Sequence, residues 1–343
     1  MFDIRHSVAL LGISCFLSIA VTAHAADEVN IYTTRLPSAL KPVLDAFTHR
    51  TGVKTNLMYL PRGLVERTQV EGQNSPADVI LGLSLDRLQE ADAVGITQPV
   101  ADARVISKLA AKGRDPSSNW LALSTRAVVI GARADAVTSK SMAYDELADP
   151  KWKGKICILS GQHDDNIGLF ASMLARLGPD KAKSWLAGLV SNQAMRPDGV
   201  RYASMADLVA GHCDLALGNS QQAGLFLKGN ADTAKSAASI KVLMPSRDAG
   251  GPYVDVSGMA LARNAPNKDN ALKLMTFLAS KEGRGLVGEA LQEMPIGQAS
   301  GGPKVKGVIA FKAKPDAAMV ARYRKAAADL ADQVGFDDSL TDE

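Results

Sequence analysis

Between Val29 and Gly95 the chain alternates between two hydrophobic periods, and few folds accommodate that alternation. An apolar run at 29–33 predicts a strand. Leu40, Val43, Leu44 and Phe47 then recur at the spacing of one helix face, and Gly52 closes that helix. The same reading predicts a strand over 53–60, a helix over 63–72, an apolar strand over 78–83 and a helix over 85–93 stopped by Gly95. Strands that alternate with helices require a parallel sheet covered on both faces, an α/β fold. The 46% hydrophobic and 22% charged content suits a globular chain with a sizeable core. The net charge of +3, from 39 basic and 36 acidic residues, comes with no basic stripe carrying interleaved aromatics. Nucleic acid is therefore not an expected partner.

Residues 1–25 read as a cleaved secretory signal. Arg5 and His6 precede an apolar run from Val8 to Val21, and Ala23-His24-Ala25 is a small-x-small cleavage site. The run is too short to span a membrane, and no later segment is long and apolar enough. Cys15 lies inside the run without a fitting lipoprotein box. A soluble exported protein is expected, which in a bacterium means the periplasm. Cys157 and Cys213 remain after cleavage. In an oxidising compartment they point to a disulfide, with two buried free thiols as the other state.

Further along, apolar runs at 120–125 and 127–130 flank a single charge, Arg126, and suit a strand crossing between two lobes. A short helix at 144–147, a strand at 155–159 carrying Cys157, a polar loop at 160–166 and a helix at 167–177 follow, with another helix begun near Asp180. The run Leu215-Ala216-Leu217 breaks into Gly218-Asn219-Ser220 before a helix start at Ala223. Such a strand end running into a helix start is where open α/β sheets place ligands. A strand at 240–244, a second crossing strand at 253–262, a helix at 270–278, a turn at 294–297 and an amphipathic helix at 316–334 complete the reading. The division expected is one lobe from 26–127 with 257–300, and a second from 128–256 with 301–343, which includes the C-terminal helix.

Four polar stretches are candidates for one ligand cleft. They are the loop ending at Arg35, the isolated Arg126, the segment with Gln162, His163, Asp164 and Asp165, and Asn219, Ser220, Gln221 and Gln222. If Cys157 bonds Cys213, their Cα atoms lie within about 7 Å and the last two loops are brought together. Guanidinium binds carboxylate or phosphate in bidentate fashion, so Arg35 and Arg126 suit an anion, although Arg126 equally suits an internal ion pair. His163, Asp164 and Asp165 suit a divalent cation, an ammonium or hydroxyl group, or a plain solvated turn. Gln221 and Gln222 offer neutral donors and acceptors. No nucleophile elbow, phosphate-binding loop or zinc-protease helix occurs, which points away from an enzyme.

Several segments together resemble the ferric-ion-binding periplasmic proteins, solute receptors of bacterial ABC importers. They are Val29-Asn30-Ile31-Tyr32-Thr33-Thr34-Arg35, Asn74-Ser75-Pro76-Ala77-Asp78-Val79, the run from Asp149 to Cys157, Ser160-Gly161-Gln162-His163, Gly218-Asn219-Ser220, Ala265-Pro266-Asn267 and Val334-Gly335-Phe336-Asp337. The resemblance implies a two-lobed periplasmic-binding-protein fold, with parallel or mixed sheets, flanking helices and crossing hinge strands. It implies a monomer that closes on its ligand and passes it to a membrane permease driven by an ATPase. It also implies a disulfide of the Cys157–Cys213 kind and a role for Arg126 toward a synergistic anion. In iron-binding members two tyrosines follow Asn-Ser; here Gln221 and Gln222 stand there. Neutral amides are poor ligands for hard Fe³⁺. No resident cofactor is expected, and iron or an anion would be the cargo. Three readings follow: a receptor for an organic anion or phosphorylated metabolite, an iron receptor that takes Fe³⁺ already chelated or uses the aspartates instead, and a periplasmic enzyme or sensor partner on the same fold.

Overall fold

Strands β1 (Glu28–Thr33), β2 (Lys54–Tyr59) and β3 (Val79–Leu83) pair in parallel with β1 in the middle. The computed structural model describes residues 27–109, 115–197, 203–228, 238–246, 250–296 and 317–338, so the expected signal segment lies outside the described residues. Helix α1 (Pro37–Thr51) connects β1 to β2 and buries Leu40, Val43, Leu44 and Phe47, the face that the periodicity selects. Pro37 opens it, where a missing N–H costs nothing, and Gly52 in the left-handed region closes it by donating its N–H to the Thr48 carbonyl. Helix α2 (Leu64–Glu71) connects β2 to β3, and α3 (Leu85–Ala93) follows β3.

After β4 (Thr97–Gln98) and the short α4 (Ala103–Ile106) comes β5 (Leu121–Arg133), 13 residues long. At about 3.3 Å per residue such a strand spans roughly 40 Å, enough to serve two sheets. It pairs antiparallel with β10 (Val254–Ala262) as far as Ala127. From Val128 onward it pairs with β8 (Leu215–Asn219) and β9 (Ile240–Pro245). The expected sheets thus join through β5 into the order β2-β1-β3-β10-β5-β8-β7. Strand β7 (Ile156–Cys157) is parallel to β8, β6 (Ser141–Met142) pairs with β9, and β11 (Met294–Pro295) pairs with β5.

Of the boundaries that differ from expectation, three have a local reason. The strand expected over 155–159 is confined to Ile156–Cys157, because the Leu159 and Ser160 carbonyls accept from Asn166 Nδ2 instead of a ladder partner. Helix α5 (Asp164–Leu177) begins three residues early, where His163 Nδ1 accepts the Asp165 N–H as an N-cap. Helix α8 (Ser220–Lys228) also begins early, since Asn219 Oδ1 accepts the Gln222 N–H at 2.9 Å.

Among the described residues the remaining α-helices are α6 (Pro179–Ser191), α7 (Ala203–Ala210), α9 (Lys268–Ala279), α10 (Lys281–Leu291) and α11 (Ala317–Gln333). Apolar clusters cover both faces of each sheet region. Phe47, Leu274 and Phe277 lie on one side of β1 and β3, with Leu64, Leu85 and Leu88 on the other. Phe170, Trp185 and Phe336 pack beside β8 on one side, with Met205 and Leu208 on the other. A disulfide joins Cys157 to Cys213 within the latter cluster, with Cα atoms 5.9 Å apart. Among the described residues no helix is long and apolar enough to cross a membrane.

Candidate functional site: an arginine-lined cleft

The ends of β1 and β3 and the starts of α2, α3 and α5 enclose a cleft of about 290 Å³, with Arg324 of α11 on its rim. Five guanidiniums line it, those of Arg35, Arg62, Arg87, Arg126 and Arg324, against the carboxylates of Glu66, Asp164 and Asp165. Gln162 and His163 complete that wall. Most of the lining lies at strand ends and helix starts, as the parallel order of β1, β2 and β3 requires, while Arg126 comes from the middle of β5 and Arg324 from within α11.

Arg126 is the centre of a buried ion network. Its Nη2 lies 2.5 Å from Asp255 Oδ2 and 3.0 Å from Asp165 Oδ1, and its Nη1 donates to Ser257 Oγ at 3.1 Å. Glu293, wholly buried, lies 3.6 Å from Arg126 and 3.2 Å from Arg35. Arg35 also donates to Ser257 Oγ, and to Gln221 Oε1 at 3.4 Å. Burial alone would lower the Arg126 pKa, but Asp255, Asp165 and Glu293 outweigh it and hold the group well above its ordinary value. Burial pushes the Asp255 carboxyl up, more than Arg126 pulls it down, and the charge of Asp165 adds to the rise. The network ties β5, β10, α5 and the segment before β11 together where the two sheet regions meet.

Arg35 needs a particular backbone beneath it. Gly82, in the left-handed region at φ +84°, lies under its side chain, and a Cβ there would approach Arg35 Cγ to 2.5 Å. A glycine is required on both counts.

The sequence candidates divide in two. Arg35, Arg126, Gln162, His163, Asp164 and Asp165 line the cleft. Asn219, Ser220, Gln221 and Gln222 are buried behind it and brace the lining. Asn219 Nδ2 donates to Asp165 Oδ2 at 2.6 Å, Ser220 Oγ accepts the Ala127 N–H, and Gln222 Oε1 accepts the Asn219 N–H. The glutamines therefore stand behind the lining of this cleft rather than in it. The first turn of α8 is turned inward, because β8 sits between β5 and β7. Gln162 reaches α11, with its Nε2 2.7 Å from Asp332 Oδ1.

The acidic turn is likewise committed. Asp164 and Asp165 stand in the first turn of α5, where the helix dipole favours negative charge. Asp165 faces Arg126, and Asp164 Oδ1 lies 3.4 Å from Arg324. Among the described residues no group of three His, Cys, Asp or Glu has metal-binding geometry. A bare Fe³⁺ would meet carboxylates already turned to guanidiniums.

Residues the sequence reading missed complete the site. Ser84 follows an apolar strand and precedes a helix, the signal that singled out 218–222, so it was findable. Arg324 also donates to Asp86 of α3. It lies on a helix that periodicity locates, but periodicity does not say what that helix covers. Glu293 and Asp255 carry no local signal, because only the fold brings them to Arg126.

The chain matches the sequence profile of the bacterial extracellular solute-binding protein family over residues 30–290. It is 34% identical over 296 residues to iron uptake protein A1 of Synechocystis, covering 85% of this chain and 82% of that one. Among solved structures it resembles apo ferric ion-binding protein A of Pasteurella haemolytica, with a TM-score of 0.84 and 34% identity over 93% of this chain and all of that one. It also resembles the Trichodesmium protein FutA in complex with iron and citrate, with a TM-score of 0.76 and 31% identity over 90% of this chain and 99% of that one.

Proposed function

The chain belongs to the bacterial extracellular solute-binding protein family, and from that premise we propose that it captures an anionic solute, bearing phosphate or carboxylate groups, in the arginine-lined cleft. The observation that carries this reading is the lining itself, five guanidiniums against three carboxylates, with Asp255 and Glu293 behind it paired to Arg35 and Arg126. Guanidinium presents donors in a planar fork that matches both oxyanions, and it keeps its charge at any physiological pH. Glu293 and Asp255 behind the lining hold Arg35 and Arg126 in place, so little side-chain entropy is left to lose on binding.

In this role the receptor closes on its solute and hands it to a membrane permease driven by an ATPase. The work is capture rather than catalysis. Residues 1–25 direct the chain to the periplasm, where it acts as a monomer without a resident cofactor. The lobes of this reading are 26–127 with 257–300 and 128–256 with 301–343, hinged at β5 and β10.

A second reading keeps iron as cargo, delivered inside an anionic chelate. It is favoured by the Synechocystis relative, called an iron uptake protein, and by the Trichodesmium neighbour, which holds iron and citrate. A citrate chelate presents the carboxylates that the arginines would receive. Gln221 and Gln222, buried behind the lining, would not act as ligands to the metal.

Native mass spectrometry of the protein from periplasm, beside a ferric-citrate titration followed by visible absorbance, tests both. A colourless protein with an acidic organic adduct supports the first reading. A charge-transfer band with iron and citrate mass supports the second. A charge-transfer band with iron and no anion would overturn both.

A further inference from the structure

We propose that one corner of the cleft, made by Ser84 with the first turns of α2 and α3, is the receiving site for a phosphoryl group of the solute. This rests on the anion-receptor reading and assigns it a place and a chemical class.

Ser84 is 6% exposed, lines the cleft, and its Oγ has no hydrogen-bond partner. That is unusual for its position. Ser84 is the N-cap of α3, where a serine side chain ordinarily accepts a backbone N–H of the first turn. Here it makes no such bond. A buried hydroxyl without a partner is costly, and a group to which it donates would remove that cost.

Two backbone donors beside Ser84 are also uncommitted. At the start of α3 the Leu85 N–H is taken by Asp255 Oδ1 at 3.0 Å, while the Asp86 and Arg87 N–H groups make no hydrogen bond among the described residues. Across the corner α2 begins at Leu64 after Gly63, again without a side-chain cap, and both residues line the cleft. Both helices are long enough for the N-terminal dipole to favour negative charge there. The carboxylates of these two first turns are turned to guanidiniums, Glu66 to Arg87 and Asp86 to Arg324, although Glu66 also accepts its own backbone N–H.

The class of anion follows from the donors. A carboxylate offers two oxygens on one plane. A phosphate monoester offers three on a tetrahedron and carries close to two charges at neutral pH. The Ser84 hydroxyl, the first turns of two helices and the guanidiniums of Arg35, Arg62 and Arg87 line the same cleft. That arrangement suits the tetrahedron.

The test is calorimetric titration of the purified full chain with glycerol 3-phosphate, inorganic phosphate and citrate. Wild type, Ser84→Ala, Ser84→Thr and Ser84→Asp are compared, and thermal melts confirm that each is folded. Glycerol 3-phosphate, inorganic phosphate or both should bind wild type; binding of the ester alone means that the glycerol part also contributes. Ser84→Ala should weaken that binding about tenfold, the worth of one hydrogen bond to a charged group. Ser84→Thr should restore it, and Ser84→Asp should abolish it by placing a like charge at the corner. Phosphate binding that is unchanged in Ser84→Asp would overturn the corner while leaving the anion receptor intact. Binding of citrate alone, lost in Ser84→Asp, would overturn the phosphoryl class. No binding of any of the three anions to wild type would overturn this inference, and the receptor reading is then judged by its own mass-spectrometric test.

Discussion

At the scale of single residues the cleft is decided by unequal numbers. Three buried carboxylates, Asp165, Asp255 and Glu293, share two guanidiniums, Arg35 and Arg126. The surplus negative charge falls on Asp255, whose carboxyl titrates above its ordinary value because burial outweighs Arg126. A carboxyl raised in the folded state favours folding while protonated. Its contribution is full below about pH 4, the unfolded value, and is lost as pH rises through the raised one. Asp255→Asn removes that loss, so its melting temperature relative to wild type should climb between pH 4 and pH 8. A difference that stays flat across that range would show that Asp255 is ionised throughout. Arg126→Met is expected to cost about 3–5 kcal/mol in denaturant unfolding, because it leaves buried carboxylates uncompensated. Arg126 was legible as an anomaly, one charge in an apolar run, but its partners were not. Asp255 and Glu293 lie over a hundred residues away along the chain, and no local pattern marks them.

At the scale of elements the legible parts are those whose packing is periodic. The face of α1 and the long apolar run of β5 could be read because each buries one regular set of side chains. Helix α10 could not, since Gly283, Gly285 and Gly288 suppress its helical signal. Tertiary contact explains two of those glycines. A Cβ on Gly283 would strike the Phe277 carbonyl, and one on Gly288 would come within 2.6 Å of Pro295 Cγ. Gly288→Ala should therefore destabilise by about 1–3 kcal/mol through overpacking, despite its better helix propensity, as measured by urea unfolding. The opposite sign would mean that β11 yields easily. The disulfide clamps the end of β7 to Cys213, two residues before β8, across a sequence separation of 56 residues. In the chain-entropy account a loop of that length is worth about 4 kcal/mol, so the Cys157→Ser, Cys213→Ser pair should lose roughly that much in unfolding experiments. A loss under about 1 kcal/mol would show that packing in the surrounding cluster holds these strands without the bond.

At the scale of the whole molecule the two sheet regions are linked twice over. Strands β5 and β10 run between them, and α11 lies across the outside, packed on α5 and touching α3. The crossing strands were readable from the sequence and the strap was not, because an amphipathic helix does not announce which surface its apolar face will cover. Arg324 on that helix reaches Asp86 of α3 and Asp164 of α5, one partner on either side of the cleft mouth. Burial lowers its pKa. Each bridge is partly exposed, so the pair is worth about 1 kcal/mol, or some fivefold in the balance between closed and open forms. Arg324→Ala should increase the radius of gyration of the empty protein in solution scattering, and no change would mean that helix packing alone sets the spacing. The strap has a further consequence under the importer role proposed above. A receptor whose sheet regions are bridged before any cargo arrives would resemble its loaded form, and a membrane partner would then be triggered by empty copies. Idle ATP turnover in a reconstituted importer should accordingly fall when Arg324 is removed.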